Sequence, residues 1–238
     1  MSEAMELWQG GPMFRQAEHF RLGTDSVLLA DFANRTSAKR GIDLGCASGA
    51  IGLIMLANNS RIHMTGLEIV PEAAELAREN MSANGFDDRS SIVAGDIREV
   101  KTLFTAGSFD LAVANPPYFA AGSGALSPVD GRDAARGELS CTMEDICRAA
   151  AFLCHTGASF CLVHRPERLA ELIRCLSACG FEPKRLRLVS ERARTAPNLV
   201  LVESRRGGKP GLKIEPPLIL KNDDGSESEE YKRIYHRP

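Results

Sequence analysis

Apolar and polar positions along this chain follow two periods in turn. Short apolar runs at 41–44, 62–68, 91–94 and 109–114 read as buried strands, and the stretches between them carry apolar residues at helical spacing. The clearest helix is 71–84, where Ala73, Leu76, Ala77 and Met81 share a face, Pro71 sits in the first turn and Gly85 follows the end. Residues 51–58 read as the helix after the first strand. Ahead of them, Thr24 or Asp25 is placed to cap a short helix bearing Val27, Leu28, Leu29 and Ala30. The alternation resumes with a helix at 143–154, a strand at 158–164 and a helix at 168–178 closed by Gly180. Runs 186–189 and 199–203 then read as strands with no helix between them.

Strands alternating with helices predict an α/β, doubly wound, mostly parallel sheet covered on both faces. The last pair predicts an antiparallel edge hairpin at the C-terminal side, for seven strands in all. The expected organisation is one domain over 1–238, with an N-terminal segment at 1–40, a core at 41–206 and a tail at 207–238. Residues 119–140, rich in Gly, Ala, Ser and charge, form a loop of the length that usually serves function or stays disordered. The tail, with Gly207-Gly208, Pro210-Gly211, Pro216-Pro217 and a polar run at 222–230, reads as an ordered arm or a frayed end.

Composition narrows the class only modestly. Apolar residues are 44% and charged ones 25% of 238, an ordinary globular balance. No apolar run approaches the roughly 20 residues of a membrane span, and no export signal opens the chain. Seven scattered cysteines form no C-x-x-C pair, so no metal site is expected and a reduced, cytoplasmic protein is. Net charge is -2, yet Arg165 to Lys213 holds 12 Lys/Arg against 5 Asp/Glu. That asymmetry suits a basic flank beside a neutral core.

Candidate chemistry begins at Ile42-Asp43-Leu44-Gly45-Cys46-Ala47-Ser48-Gly49, a strand passing through a glycine turn into a helix, as nucleotide-type ligands require. Gly45 permits close backbone approach to a ligand, and Gly49 close packing of the helix. The next strand ends in Glu68, placed to accept ribose hydroxyls, and the third at Gly95-Asp96-Ile97 beside the same crevice. The G-x-G-x-x-G fingerprint of dinucleotide dehydrogenases is absent. The second segment is Phe109 to Tyr118, a buried strand running into Asn115-Pro116-Pro117-Tyr118. Prolines donate no hydrogen bond, so this turn offers acceptors. The Asn115 side-chain oxygen and the Pro116 carbonyl can grip both hydrogens of a planar –NH₂ while Tyr118 stacks on its ring. Such an amine has a delocalised lone pair, and two acceptors would favour its pyramidal form and aim it at an electrophile. No metal and no nucleophilic side chain is needed.

These residues resemble the class I S-adenosylmethionine-dependent methyltransferases. The resemblance implies that Asp43 holds the cofactor's methionine end, Glu68 its ribose, and Asp96 with Ile97 its adenine. It places Gly23, Thr24, Gly45, Cys46, Gly49, Ile69 and Asn115 among the cofactor contacts, with the 1–40 segment as a lid. The family's turn usually reads G-x-G-x-G, and the middle glycine here is Ala47. If that position needs positive φ, alanine costs roughly 1–2 kcal/mol; if only closeness matters, it is nearly harmless.

Most of the chain resembles the bacterial tRNA (adenine-N6) methyltransferases that act at position 37 of valine tRNA. The resemblance runs through Arg21 to Ala30, the glycine turn, Asn115 to Phe119, His164 to Leu169, Asn198 to Val202 and the Gly- and Pro-rich tail. It implies a cytoplasmic enzyme, monomeric or a weak homodimer, with a tRNA substrate and neither membrane nor obligate protein partner. Arg132 and Arg136 would reach phosphates; Arg185, Arg187, Arg192, Arg194, Arg205, Arg206 and Lys209 would form a wider RNA track. Asn-Pro-Pro-Tyr also serves methylation of protein glutamine amides and of ribosomal guanine or adenine, and a non-catalytic RNA- or cofactor-binding module is a further alternative. Only about 40 residues precede Asp43, short for the helical domain of release-factor glutamine methyltransferases.

Overall fold

A computed structural model describes residues 4–16, 22–34, 36–116 and 141–238. The long loop expected at 119–140 therefore lies outside the described residues. A two-stranded hairpin, β1 (Met5–Glu6) with β2 (Met13–Phe14), opens the chain, followed by α1 (Thr24–Ala33). The alternation then runs β3 (Arg40–Leu44), α2 (Ala50–Asn58), β4 (His63–Glu68), α3 (Pro71–Ala83), β5 (Ser90–Ala94), α4 (Val100–Leu103) and β6 (Phe109–Ala114). It continues with α5 (Met143–Leu153), β7 (Cys154–His164), α6 (Leu169–Ala178), β8 (Phe181–Ser190) and β9 (Leu199–Arg206). The tail supplies β10 (Lys213–Ile214), β11 (Leu218–Ile219) and α7 (Glu229–Ile234).

The seven long strands lie in the order β5-β4-β3-β6-β7-β9-β8. All run parallel except β9, which is antiparallel to both of its neighbours. Strand order therefore reverses between β3 and β6, the position where open α/β sheets leave a crevice beyond their carboxyl ends. The tail is an ordered arm. Its two short strands pair parallel with β8 and cover what would otherwise be an exposed edge.

Period-two alternation explains the two cores. Leu111 and Val113 of β6 face one cluster with α1 and α2, while Ala112 and Ala114 face the other with α5 and α6. Helix α2 is apolar on nearly all sides because α1, α3 and the sheet surround it; Leu53 and Met55 are fully buried. Each such side chain contributes roughly 1.5–3 kcal/mol relative to exposure, so this side of the switch point is rigid. In α1 the N-cap is Gly23, with Thr24 and Asp25 already inside the first turn. Neither side chain caps the helix as expected; the Asp25 carboxylate instead accepts from the Ser26 amide at 2.9 Å. Among the described residues no helix is long and apolar enough to cross a membrane.

Candidate active site

The glycine turn leaves β3 with three residues in the left-handed region: Gly45 at φ +80°, Ala47 at +47° and Gly49 at +83°. The amides of Gly45 and Cys46 both donate to the Leu67 carbonyl, at 2.9 and 3.1 Å, which stitches the turn to β4. At Gly49 a Cβ would also lie 3.0 Å from Met81 Cε and 3.1 Å from Ala77 Cβ, so the turn can press against α3 only without a side chain. At Gly45 a Cβ would meet nothing nearer than Ile97 Cδ1 at 4.0 Å, so there the backbone conformation is what requires glycine. Ala47 does adopt the positive φ at which alanine costs roughly 1–2 kcal/mol. Its amide donates to Glu68 Oε2 at 2.8 Å, a charge-assisted bond of about 1.5–3 kcal/mol. The bond offsets the strain.

Glu68 thus has a structural duty beside its expected ribose contact. Its other oxygen accepts from the Val70 amide at 2.9 Å, and the side chain is 5% exposed. A carboxylate has about four acceptor sites, so both oxygens keep capacity for another donor. Asp43 differs. It is 1% exposed, and among the described residues neither carboxylate oxygen has a hydrogen-bond partner. Burial, and then the neighbouring Glu68 carboxylate, push its pKa up to about 8. An unpartnered buried carboxyl costs stability, and its oxygens keep room for a donor that the described residues do not supply. Cys46 is a packing residue: its sulfur occupies space left free by Gly66, and burial raises its thiol pKa well above the usual range. Asp96 caps the short turn Ile97–Glu99 through the Arg98 amide at 2.8 Å and accepts Arg98 Nε on both oxygens at 3.0 and 2.9 Å. That guanidinium holds its carboxyl below the ordinary range. Ile69 lies exposed on the rim.

Register brings these elements together. Asp43 pairs with Val113, so two residues on Gly45 and Asn115 leave the sheet side by side. Leu44 pairs with Leu67 and Glu68 with Ala94, which places Glu68 and the start of the Gly95-Asp96 turn at the same level. Asn115 Nδ2 donates to Ser26 Oγ of α1 at 3.0 Å, a contact between residues 89 apart in sequence. In this arrangement the amide nitrogen lies toward α1 and its oxygen away from it. Pro116 follows, buried. Pro117, Tyr118, Arg132 and Arg136 lie outside the described residues. Near the start of α1, the Tyr235 hydroxyl faces Thr24, bringing the end of α7 to the rim.

Two residues unforeseen in the sequence shape the site. Ser26 orients Asn115, and Asn80 on α3 joins three segments. Asn80 accepts from the Arg15 amide at 2.8 Å and donates to the carbonyls of Arg15 at 2.8 Å and Ser48 at 2.9 Å. Asn84, one turn later, makes the same paired contact with Met13. The available signal for Asn80 was an amide at helical spacing from Ala73, Leu76 and Ala77, inside an apolar stripe. The expected arginine track divides. Arg185 is committed to Glu203 at 2.8 Å, Glu215 at 3.3 Å and the Phe32 carbonyl at 2.8 Å, and Arg187 bidentately to Glu230 at 2.7 Å. Arg205, Arg206 and Lys209 follow the far end of β9, at the opposite edge of the sheet from the site. Arg192 and Arg194, exposed in the β8–β9 turn, stand on the same edge as Asn115.

A family model described as a methyltransferase domain matches residues 35–175. A Porphyromonas gingivalis protein named tRNA1(Val) (adenine(37)-N6)-methyltransferase is 34% identical over 224 residues, covering 90% of this chain and 86% of the relative. A Tolumonas auensis protein of the same name is 31% identical over 214 residues, covering 89% and 86%. Among solved structures, an Agrobacterium tumefaciens protein described as a predicted O-methyltransferase superposes with a TM-score of 0.73 at 23% identity, covering 90% of this chain and 96% of that one. That likeness shows the fold. The unpaired acid beneath a glycine turn, the asparagine beside it and these relatives agree: the chain is an S-adenosylmethionine-dependent methyltransferase and belongs to the family of tRNA1(Val) (adenine(37)-N6)-methyltransferases.

Proposed function

We propose that the protein methylates the exocyclic amine of an anticodon-loop adenine, position 37 of valine tRNA. The observation that carries the reading is the joint exit of Gly45 and Asn115 from the sheet, with the unpaired Asp43 carboxyl beneath them. The names of the relatives that match about nine-tenths of the chain support this choice of substrate.

S-adenosylmethionine, when bound, supplies an electrophilic methyl group and a cationic amino end. The residues present fit it. Asp43 takes the ammonium as the donor its oxygens lack, and Gly45, Cys46 and Gly49 shape the turn over the methionine part. The remaining acceptor capacity of Glu68 takes the ribose hydroxyls. Asp96, Ile97 and Ile69 bound the adenine, and Gly23 and Thr24 close the site from α1. On the substrate side, Asn115 Oδ1 and the Pro116 carbonyl accept the two amino hydrogens, so the nitrogen presents its lone pair outward. Forming the new N–C bond would break the methyl's bond to the cofactor sulfur, whose electron pair stays on sulfur as the neutral thioether leaves, and the nitrogen would give up one of its protons to solvent. For Pro117, Tyr118, Arg132 and Arg136, which lie outside the described residues, the motif implies a stiff acceptor turn, a ring to stack on the adenine and, for the two arginines, contact with flanking phosphates.

A loop base is poorly stacked, so extruding it costs less than flipping one from a duplex. Arg192 and Arg194 lie three strands from Asn115, about 14 Å at the usual strand spacing. That distance suits phosphates flanking an extruded base. We read 1–238 as one domain, working in the cytoplasm as a monomer or weak dimer. The test presents methyl-labelled S-adenosylmethionine with unmodified tRNA, DNA and release-factor protein separately. Label recovered from tRNA as N6-methyladenosine is the expected result. Asn115→Ala lowers turnover by about 100-fold or more, with cofactor affinity within about twofold. Label on protein alone overturns the substrate, and equal loss of cofactor binding overturns the role of Asn115.

A further inference from the structure

The last turn of the chain carries an aromatic group that neither the glycine turn nor the Asn115 segment uses. Helix α7 is held to α1 by Arg233 and Asp31 at 3.1 Å and to β8 by Glu230 and Arg187. It ends in paired bonds from the His236 amide to the Arg233 carbonyl at 3.2 Å and from the Arg237 amide to the Lys232 carbonyl at 2.9 Å. This is the cap in which a left-handed residue, usually glycine, closes a helix. Here that residue is His236, at φ +53°. Glycine would close the helix without strain, so the imidazole is held there against a backbone preference.

The ring has a definite place. It stacks on Trp8 with centroids 4.2 Å apart and planes 20° from parallel. Trp8 in turn lies on Gly11, where a Cβ would come within 2.6 Å of the indole. Trp8 is half-buried, and His236 is exposed. Next to the stack, Tyr231 and Tyr235 pack with centroids 4.6 Å apart, and the Arg237 guanidinium lies 4.7 Å from the Tyr235 ring centre. The Tyr235 hydroxyl meets Thr24, two residues before the Ser26 that holds Asn115. The group therefore stands on the rim of the site, and the exposed Arg192 and Arg194 turn lies on the same edge of the sheet.

We propose that this aromatic rim is a stacking platform for a nucleotide that flanks the methylated base, with His236 as its exposed face; the inference rests on the RNA reading above. Flat aromatic and guanidinium faces bind unstacked bases with little regard to sequence, and a single-stranded loop with one base extruded offers such neighbours. The committed arginines Arg185 and Arg187 serve the platform indirectly by anchoring the arm that carries it.

The discriminating variant is His236→Gly, which keeps the helix cap, removes the strain and deletes only the ring. Trp8 is the sole tryptophan, so its fluorescence reports on the platform in the unlabelled protein. Titrating the full chain with an unmodified valine tRNA transcript is expected to change that fluorescence saturably. His236→Gly is expected to raise the dissociation constant for this RNA about tenfold, without lowering Tm or S-adenosylmethionine affinity. Unchanged RNA affinity in His236→Gly, with the wild type binding normally, overturns the platform and leaves the RNA reading intact. A wild type that neither binds nor methylates the transcript overturns both.

Discussion

The two flanks of Gly45 are built on different plans. Toward β4 and β5, the contacts around the glycine turn are mostly short, Ala47 and Val70 to Glu68 and Arg98 to Asp96, with Asn80 and Asn84 of α3 adding a brace from Arg15 and Met13. Among the described residues, the buried polar side-chain atoms there have partners within the chain, save the carboxyl oxygens of Asp43. Toward β6 and β8, contacts join residues far apart in sequence: Ser26 with Asn115, Arg185 with Phe32, Arg233 with Asp31. That flank ends in exposed arginines and rings. One side is preset for a small ligand of fixed shape; the other is an assembled surface suited to a large partner.

The largest expected effect falls on the first flank alone. With a pKa near 8, Asp43 is mostly protonated at pH 7 in the empty site. Its folded pKa lies above the unfolded one, so the folded state holds a proton that the unfolded chain releases. Stability therefore declines as pH rises from about 4 to about 8 through this group. Pairing with a cofactor ammonium reverses the shift. Binding near pH 7 is expected to release close to one proton, and affinity to rise with pH until about 8. Calorimetry in buffers of different ionisation enthalpy measures that release. Asp43→Asn should abolish it, weaken cofactor binding by roughly 10- to 100-fold and stabilise the empty protein by on the order of 3 kcal/mol at pH 7. Binding without proton release would remove Asp43 from the cofactor site.

A smaller effect probes the second flank. Replacing Arg192 and Arg194 together by Ala is expected to weaken RNA binding several-fold and make the log affinity–log salt slope shallower, by about 0.7 for each phosphate no longer neutralised. Tm should stay put, because both side chains are exposed. Arg185→Ala should do the opposite, lowering stability by about 1.5–3 kcal/mol, since Glu203 and Glu215 would lose their guanidinium partner while Glu203 keeps Ser159 Oγ at 3.0 Å and Arg205 at 3.8 Å. An unchanged salt slope in the double variant would remove the β8–β9 turn from the interface.

The same division explains what could be read from the chain before its fold was known. Strand–glycine turn–helix and strand–Asn-Pro-Pro are local patterns, so the sheet, the turn and the site's position were legible. Ala47's strain turned on a single dihedral angle, which residue identity does not reveal. Arg185 and Arg192 were indistinguishable as residues of a basic stretch. Only β8's pairing, with Arg185 beneath Phe32 and Arg192 past the strand end, separates an internal ion pair from a surface charge. Ser26 and Tyr235 gain meaning from contacts with distant elements, and no spacing rule links them to Asn115.

The smallest effect tests whether the first flank is really held by its own backbone. Ala47→Gly relieves roughly 1–2 kcal/mol of left-handed strain. Glycine's extra freedom in the unfolded chain returns about 0.5–1 kcal/mol of that. The Ala47 amide that bonds Glu68 is untouched by the exchange, so the turn keeps its brace. A net gain of up to about 1.5 kcal/mol follows, which in a chain of this size raises Tm by up to about 6 °C. Cofactor affinity is expected to move by less than about threefold, because Glu68 already holds the turn in shape. A lower Tm would mean that the Glu68 bond depends on alanine's restricted backbone. Affinity gained well beyond threefold, with Tm unchanged, would place the Ala47 methyl group against the cofactor and make closeness, not strain, what this position controls.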